Sequence, residues 1–170
     1  MIYYLYALIV FAIDQLTKWL VATYMELGDQ ISVIGDFFQI VSHRNTGAAF
    51  GILQGQRWLF LILTPVILIG IAWYMRQLRK EPGHKLMLTA LALIMGGALG
   101  NFADRLLFGQ VVDFFQFHFA VIDYTYPIFN VADSAIVIGV AMIFLDSLLM
   151  WRREKAKAEQ KSEHESESAS

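Results

Sequence analysis

Between Phe108 and Asp133 the chain carries no Lys or Arg, yet it holds three acids, Asp113, Asp123 and Asp133. The nearest cation is Arg105, so at least one of these acids lacks a basic partner. Asp113 stands in the segment VVDFFQF among Val111, Val112, Phe114 and Phe115, where a carboxylate is partly desolvated. Two carboxylates brought together in a partly dry site cannot both ionise easily, so the pair holds a single proton and offers a general acid beside a general base. Such a pair activates water against a peptide carbonyl without a covalent intermediate and then protonates the departing amine. Asp113 and Asp133 are the residues the sequence favours for this chemistry.

Other hydrolytic designs find less support. The chain has no cysteine, which removes thiolate nucleophiles, disulfide frameworks and Cys-based metal sites. A Ser or Thr nucleophile needs a placed base, but His43, His84, His118 and His164 are scattered and none lies inside an apolar span. No HExxH spacing exists, so neither a metal nor any other cofactor is expected. A net charge of −2 offers no basic surface for nucleic acid.

The elements that must carry these acids are built for lipid. Of 170 residues, 57% are hydrophobic and 16% charged, and the last nineteen positions, Arg152 to Ser170, concentrate five basic and five acidic residues. The composition indicates an all-α membrane protein with four transmembrane helices and a small extracytoplasmic β element. Spans are expected at about 2–22, 58–76, 86–103 and 134–151, each near the length of about 20 residues that a bilayer core requires. No Lys or Arg precedes the first span and Asp14 interrupts it, so it reads as a retained helix rather than a cleaved signal. Arg76, Arg79, Lys80 and Lys85 between the second and third spans, and Arg152 and Arg153 after the fourth, place those ends and both termini in the cytoplasm. The long connections 23–57 and 104–133 then lie outside. β-branched and aromatic residues in Ile31–Val41 and Val111–Tyr126 predict short strands there. The charged tail 152–170 is expected to be disordered.

Helix rise, about 1.5 Å per residue, brings Asp14, Asp104 and Asp133 to a similar level near the outer surface. Asp14 can pair with Lys18 at i, i+4, and Asp104 with Arg105 or a backbone amide. Asp146, close to Arg152 and Arg153, is expected to reach toward water. In GGALGNFADRL, Gly96 and Gly100 permit close helix approach, while Gly97, Asn101, Asp104 and Arg105 share one face. In FNVADS, Asn130 either caps the fourth helix or holds Asp133. RNTGAAFG offers an Asn amide and a Gly-containing bend that a substrate backbone could approach.

FAIDQLTK, RNTGAAFG, GGALGNFADR, VVDFF and FNVADS, in that order over roughly residues 10 to 145, resemble the bacterial lipoprotein signal peptidase family, signal peptidase II. The resemblance implies an aspartyl endopeptidase of the bacterial inner membrane that cuts signal peptides from prolipoproteins, just before a diacylglyceryl-modified cysteine. It implies Asp113 and Asp133 as the catalytic dyad, with Asp14, Asn45, Asn101, Asp104, Arg105 and Asn130 holding substrate or organising the dyad. Asp104 is the rival for a catalytic role, although its place beside Arg105 suits an organiser better than a proton donor. The implied partners are a lipid-modified prolipoprotein and membrane lipid. A site formed by four helices of one chain needs no second subunit, which points to a monomer. The competing class is a small proton-coupled carrier, but the acids gather at one surface, the second span is apolar through its middle, and no internal repeat is present.

Overall fold

The computed structural model describes residues 1–47, 52–80 and 82–168, with side chains except at 158–159 and 161–168. Four helices run through it: α1 (Ile2–Tyr24), α2 (Arg57–Leu78), α3 (Lys85–Phe108) and α4 (Val131–Ser168). All are long and apolar enough to cross a membrane, α4 by its part Val131–Lys157. Four strands make one antiparallel sheet in the order β1 (Gln30–Ile34), β2 (Phe38–Asn45), β3 (Val111–Phe119) and β4 (Tyr124–Thr125). The fold class and the strands thus fall where composition put them.

Two element boundaries bear on the chemistry. α3 continues through Asp104 and Arg105 to Phe108, so these residues ride on the helix rather than in the outer connection. It ends at Gly109, whose φ of 78° lets its N–H return to the Arg105 carbonyl. α4 starts three residues earlier than expected, which puts Asp133 in its first turn. The tail differs more. Where disorder was expected from Arg152 onward, α4 continues unbroken to Ser168. The segment is rich in Ala, Glu, Lys and Arg, all strong helix formers, and it extends a helix already nucleated, so each added residue escapes the cost of initiation.

α3 is the centre of the bundle. Leu88, Ala90, Leu91, Ala92 and Met95 are buried along it, whereas the lipid-facing side of α2 leaves Ile62, Val66 and Ile69 exposed. The glycines of α3 set how closely its neighbours approach. A Cβ on Gly97 would run into the Ala132 carbonyl of α4, and one on Gly96 would press on Ala7 and Val10 of α1. At Gly100 the obstacle is the Asp14 carboxylate, which occupies the space a side chain would need. Gly100→Ala is therefore expected to destabilise the protein by about 1–3 kcal/mol. It should also displace Asp14, read as a lower melting temperature in detergent.

The sheet hangs on the outer end of this bundle. The first four residues of β3, Val111 to Phe114 with Asp113 among them, are buried, and the pairing with β2 shifts register opposite this stretch. Phe38 of β2 stacks on Phe117 with ring centroids 4.8 Å apart. The Phe129 carbonyl accepts the N–H groups of Phe114 at 3.0 Å and Phe115 at 2.8 Å. These bonds tie β3 to the residues leading into α4, and so bring Asp113 to Asp133.

Candidate active site

Asn130 precedes α4 and makes a reciprocal cap with Asp133. Its Oδ1 accepts the Asp133 N–H at 2.9 Å, while Asp133 Oδ2 accepts the Asn130 N–H at 3.2 Å. This is a capping box with Asp in the position usually held by Glu or Gln. The Asn130 Nδ2 then donates to Asp113 Oδ1 at 2.6 Å, so one amide holds both acids. Asn130 does both of the things its position suggested.

Asp113 is buried, only 2% exposed. Its Oδ2 accepts from Asn45 Nδ2 at 2.9 Å, and the Asn45 oxygen is in turn fixed by the Gly47 N–H at 2.8 Å. Burial first, and the negative charge of Asp133 second, push the Asp113 carboxyl up to about 7, against the lowering effect of its two Asn donors and of Lys18. Asp133 is less deeply set, and its Oδ1 receives Asn101 Nδ2 at 2.8 Å.

Behind the two acids lies an ionic cluster between α1 and α3. Lys18, 3% exposed, reaches Asp14 at 2.8 Å and Asp104 at 3.2 Å. The other Asp14 oxygen accepts the Ala132 N–H at 2.9 Å and so caps α4 as well. Asp104 also accepts from Gln15 Nε2 at 3.0 Å and from the Val112 N–H at 3.1 Å, which secures the start of β3. Arg105 donates to the Gly47 carbonyl at 2.7 Å and lies 4.3 Å over the Phe60 ring. Asp133 also lines a groove of about 740 Å³ whose walls include Phe117, Tyr126 and Phe129 on one side and Ile136 and Val137 on the other.

Within this one chain, then, two carboxylates on separate elements share an Asn clamp, with amide and ionic support behind them and an apolar groove in front. The sequence profile of Signal peptidase (SPase) II matches residues 6–149. The chain belongs to the signal peptidase II family. Its relatives named lipoprotein signal peptidase include one from Bacillus subtilis (strain 168), 50% identical over 149 residues, which are 88% of this chain and 94% of that protein. Another, from Halalkalibacterium halodurans, is 50% identical over 156 residues, or 91% of this chain and 97% of the relative. Two solved structures described as bacterial membrane enzymes superimpose with TM-scores of 0.76 and 0.72, each 44% identical. Both cover 85% of this chain, and they are themselves covered over 85% and 90%.

In this member of the family, a multi-pass bacterial membrane protease, Asp14, Asn45, Asn101, Asp104, Arg105, Asp113, Asn130 and Asp133 all fall in or against the one cluster, whereas Asp123 and Asp146 lie outside it. Of the two partners expected for Asp104 it takes the backbone amide, that of Val112, and adds Lys18, while Arg105 turns toward Gly47. One pairing differs from expectation. Asp146 does not reach toward the tail: it is buried at 7% exposure, and its Oδ2 has no hydrogen-bond partner among the described residues. The reason is helical phase, since Asp146 lies two turns beyond Gly139 on the stripe of α4 that faces the bundle. Of RNTGAAFG, the stretch Ala48 to Gly51 lies outside the described residues.

Three contacts were not foreseen. Gln15 bridges Asp14 and Asp104. Lys18 donates to Asn101 Oδ1 at 2.9 Å. Arg57, the first residue of α2, caps the end of α3 by donating to the carbonyls of Arg105 at 2.8 Å and Leu106 at 3.0 Å. A signal for the first two existed, for FAIDQLTK packs three polar long-chain or acidic residues into an apolar span.

Proposed function

We propose that this chain is an aspartyl endopeptidase of the inner membrane that removes the signal peptide from diacylglyceryl-modified prolipoproteins, cutting before the lipidated cysteine. The observation that carries the reading is the shared clamp: Asn130 bonded to both Asp113 and Asp133, with Asp113 held near neutrality. The substrate class is supported by relatives named lipoprotein signal peptidase. The distribution of Lys and Arg supports cytoplasmic termini and a site at the outer face. The chain works as a monomer, since the cluster draws its residues from α1, α3, α4 and the sheet of one copy.

In this scheme the lipidated segment lies along the apolar groove with its scissile carbonyl beside Asp133. A water between the acids attacks the carbonyl carbon, giving its proton to Asp133, which accepts two hydrogen bonds and sits at a helix N-terminus. Asp113 gives its proton to the carbonyl oxygen. As the C–N bond breaks, Asp133 returns the proton to the amine nitrogen and Asp113 recovers one from the hydroxyl of the tetrahedral intermediate. Both acids end as they began, and no covalent enzyme species forms.

The test is cleavage of a lipidated prolipoprotein by purified protein in detergent, followed as a shortened product in the presence of chelator. Activity should survive chelation. It should fall as pH rises through about 7, because the Asp113 proton that the first step needs is present below that value and lost above it. A chelator-sensitive activity, or one that keeps rising with pH above neutrality, would overturn the scheme.

A further inference from the structure

The amide of Asn101 has an oxygen end and a nitrogen end, and its orientation decides whether Asp133 meets a donor or an acceptor. Asn101 stands between Lys18 on α1 and Asp133 on α4, 2.9 Å from the first through its oxygen and 2.8 Å from the second through its nitrogen. The oxygen also accepts a longer bond from Asn130 Nδ2 at 3.2 Å, so Lys18 is the nearer of its two donors and the charged one. An ammonium group has three donors and no acceptor, so only the oxygen of Asn101 can face it. The NH₂ group must then point at Asp133. Lys18 has little freedom to leave: it is 3% exposed and pinned by Asp14 and Asp104 at 2.8 and 3.2 Å.

We infer that Lys18 is a positioning residue for the dyad, orienting the Asn101 amide so that Asp133 is held by a donor, and supplying a buried positive charge behind both acids. This inference rests on the dyad reading above. Lys18 touches neither the water nor the substrate; it acts through Asn101. The chain Lys18, Asn101, Asp133 makes α1 part of the catalytic apparatus although α1 contributes no group to the groove. The charges facing this arrangement are Asp14 on α1, Asp104 and Arg105 on α3, Asp113 on β3 and Asp133 on α4. Four of the five are acids, so the ammonium of Lys18 opposes their mutual repulsion.

Lys18→Met keeps the length of the side chain and removes both donor and charge. With a lipidated prolipoprotein peptide as substrate, kcat is expected to fall about 10–100-fold, the size of loss that a misplaced catalytic group produces. KM should stay within about threefold, because the groove is untouched. The high-pH limb should move to higher pH, since without the nearby cation the dyad keeps its proton longer. A purely structural role would lower the amount of folded enzyme and leave the limb in place. Should Lys18→Met fail to fold, Lys18→Met with Asp104→Asn keeps the net charge of the cluster and a carbonyl for the Val112 amide; its limb is then expected to stay in place, and an unchanged kcat in that variant overturns the inference. For folded Lys18→Met, an unchanged kcat with an unmoved limb overturns the inference. Asp133→Asn assayed beside them separates the two ideas: its residual activity would sink the dyad, whereas a dead Asp133→Asn with a wild-type-like Lys18 variant would sink only the role of Lys18.

Discussion

Asp113→Asn is expected to abolish prolipoprotein cleavage, lowering kcat by at least about 10³–10⁴-fold, the upper range for a lost general acid or base. The substitution is isosteric and the Asn oxygen can still accept from Asn45 or Asn130, so the protein should insert and fold. What disappears is the group that titrates near neutrality. Asp133→Asn should cost a similar factor, and the double variant little more than either single one, because the two acids act as a unit. Measuring kcat against the folded fraction from a thermal melt checks this. Processing at the wild-type rate by folded Asp113→Asn would remove it from the dyad and make Asp104 the next candidate.

The second large effect is expected at Asn130, which is fully buried. Its oxygen caps α4 and its nitrogen holds Asp113. Asn130→Ala loses both, costing about 1 kcal/mol for the cap. It should also lose about 10²-fold in kcat for the displaced carboxylate. Asn130→Ser divides the two roles. Ser caps helices about as well as Asn, but its hydroxyl is too short to reach Asp113. The Ser variant should therefore melt close to wild type while retaining the catalytic defect of Ala. If Ser restores both stability and rate, the amide only caps the helix and the clamp is incidental.

The spans were legible because about twenty consecutive apolar residues leave the chain few alternatives. The strands followed from β-branched and aromatic runs. The pair proposed as the dyad stands out by what is missing around it, the lack of any Lys or Arg from Phe108 to Asp133. The partners of Asp104 were not. Which side of α1 meets α3 depends on Gly96 and Gly100 admitting Ala7 and Asp14, and that is a tertiary fit that no spacing within α1 reveals. Arg57 could not be assigned for the same reason, since the carbonyls it caps lie about fifty residues away in sequence. For Asp146 helical phase outweighs the nearby arginines and turns the side chain into the bundle, and in the tail helix propensity favours a continuation of α4 that mixed charge alone does not reveal.

The groove in front of Asp133 has one wall on α4 that includes Val137 and Ile138, which are 65% and 53% exposed along a membrane-crossing helix. On the proposed function, a substrate anchored by acyl chains meets such a wall by diffusing in two dimensions. Encounter frequency then follows the number of lipidated chains per unit area of leaflet, not their number per volume of solution. Spreading the same quantity of substrate over more amphiphile is then expected to slow turnover without altering a single contact at the proposed dyad.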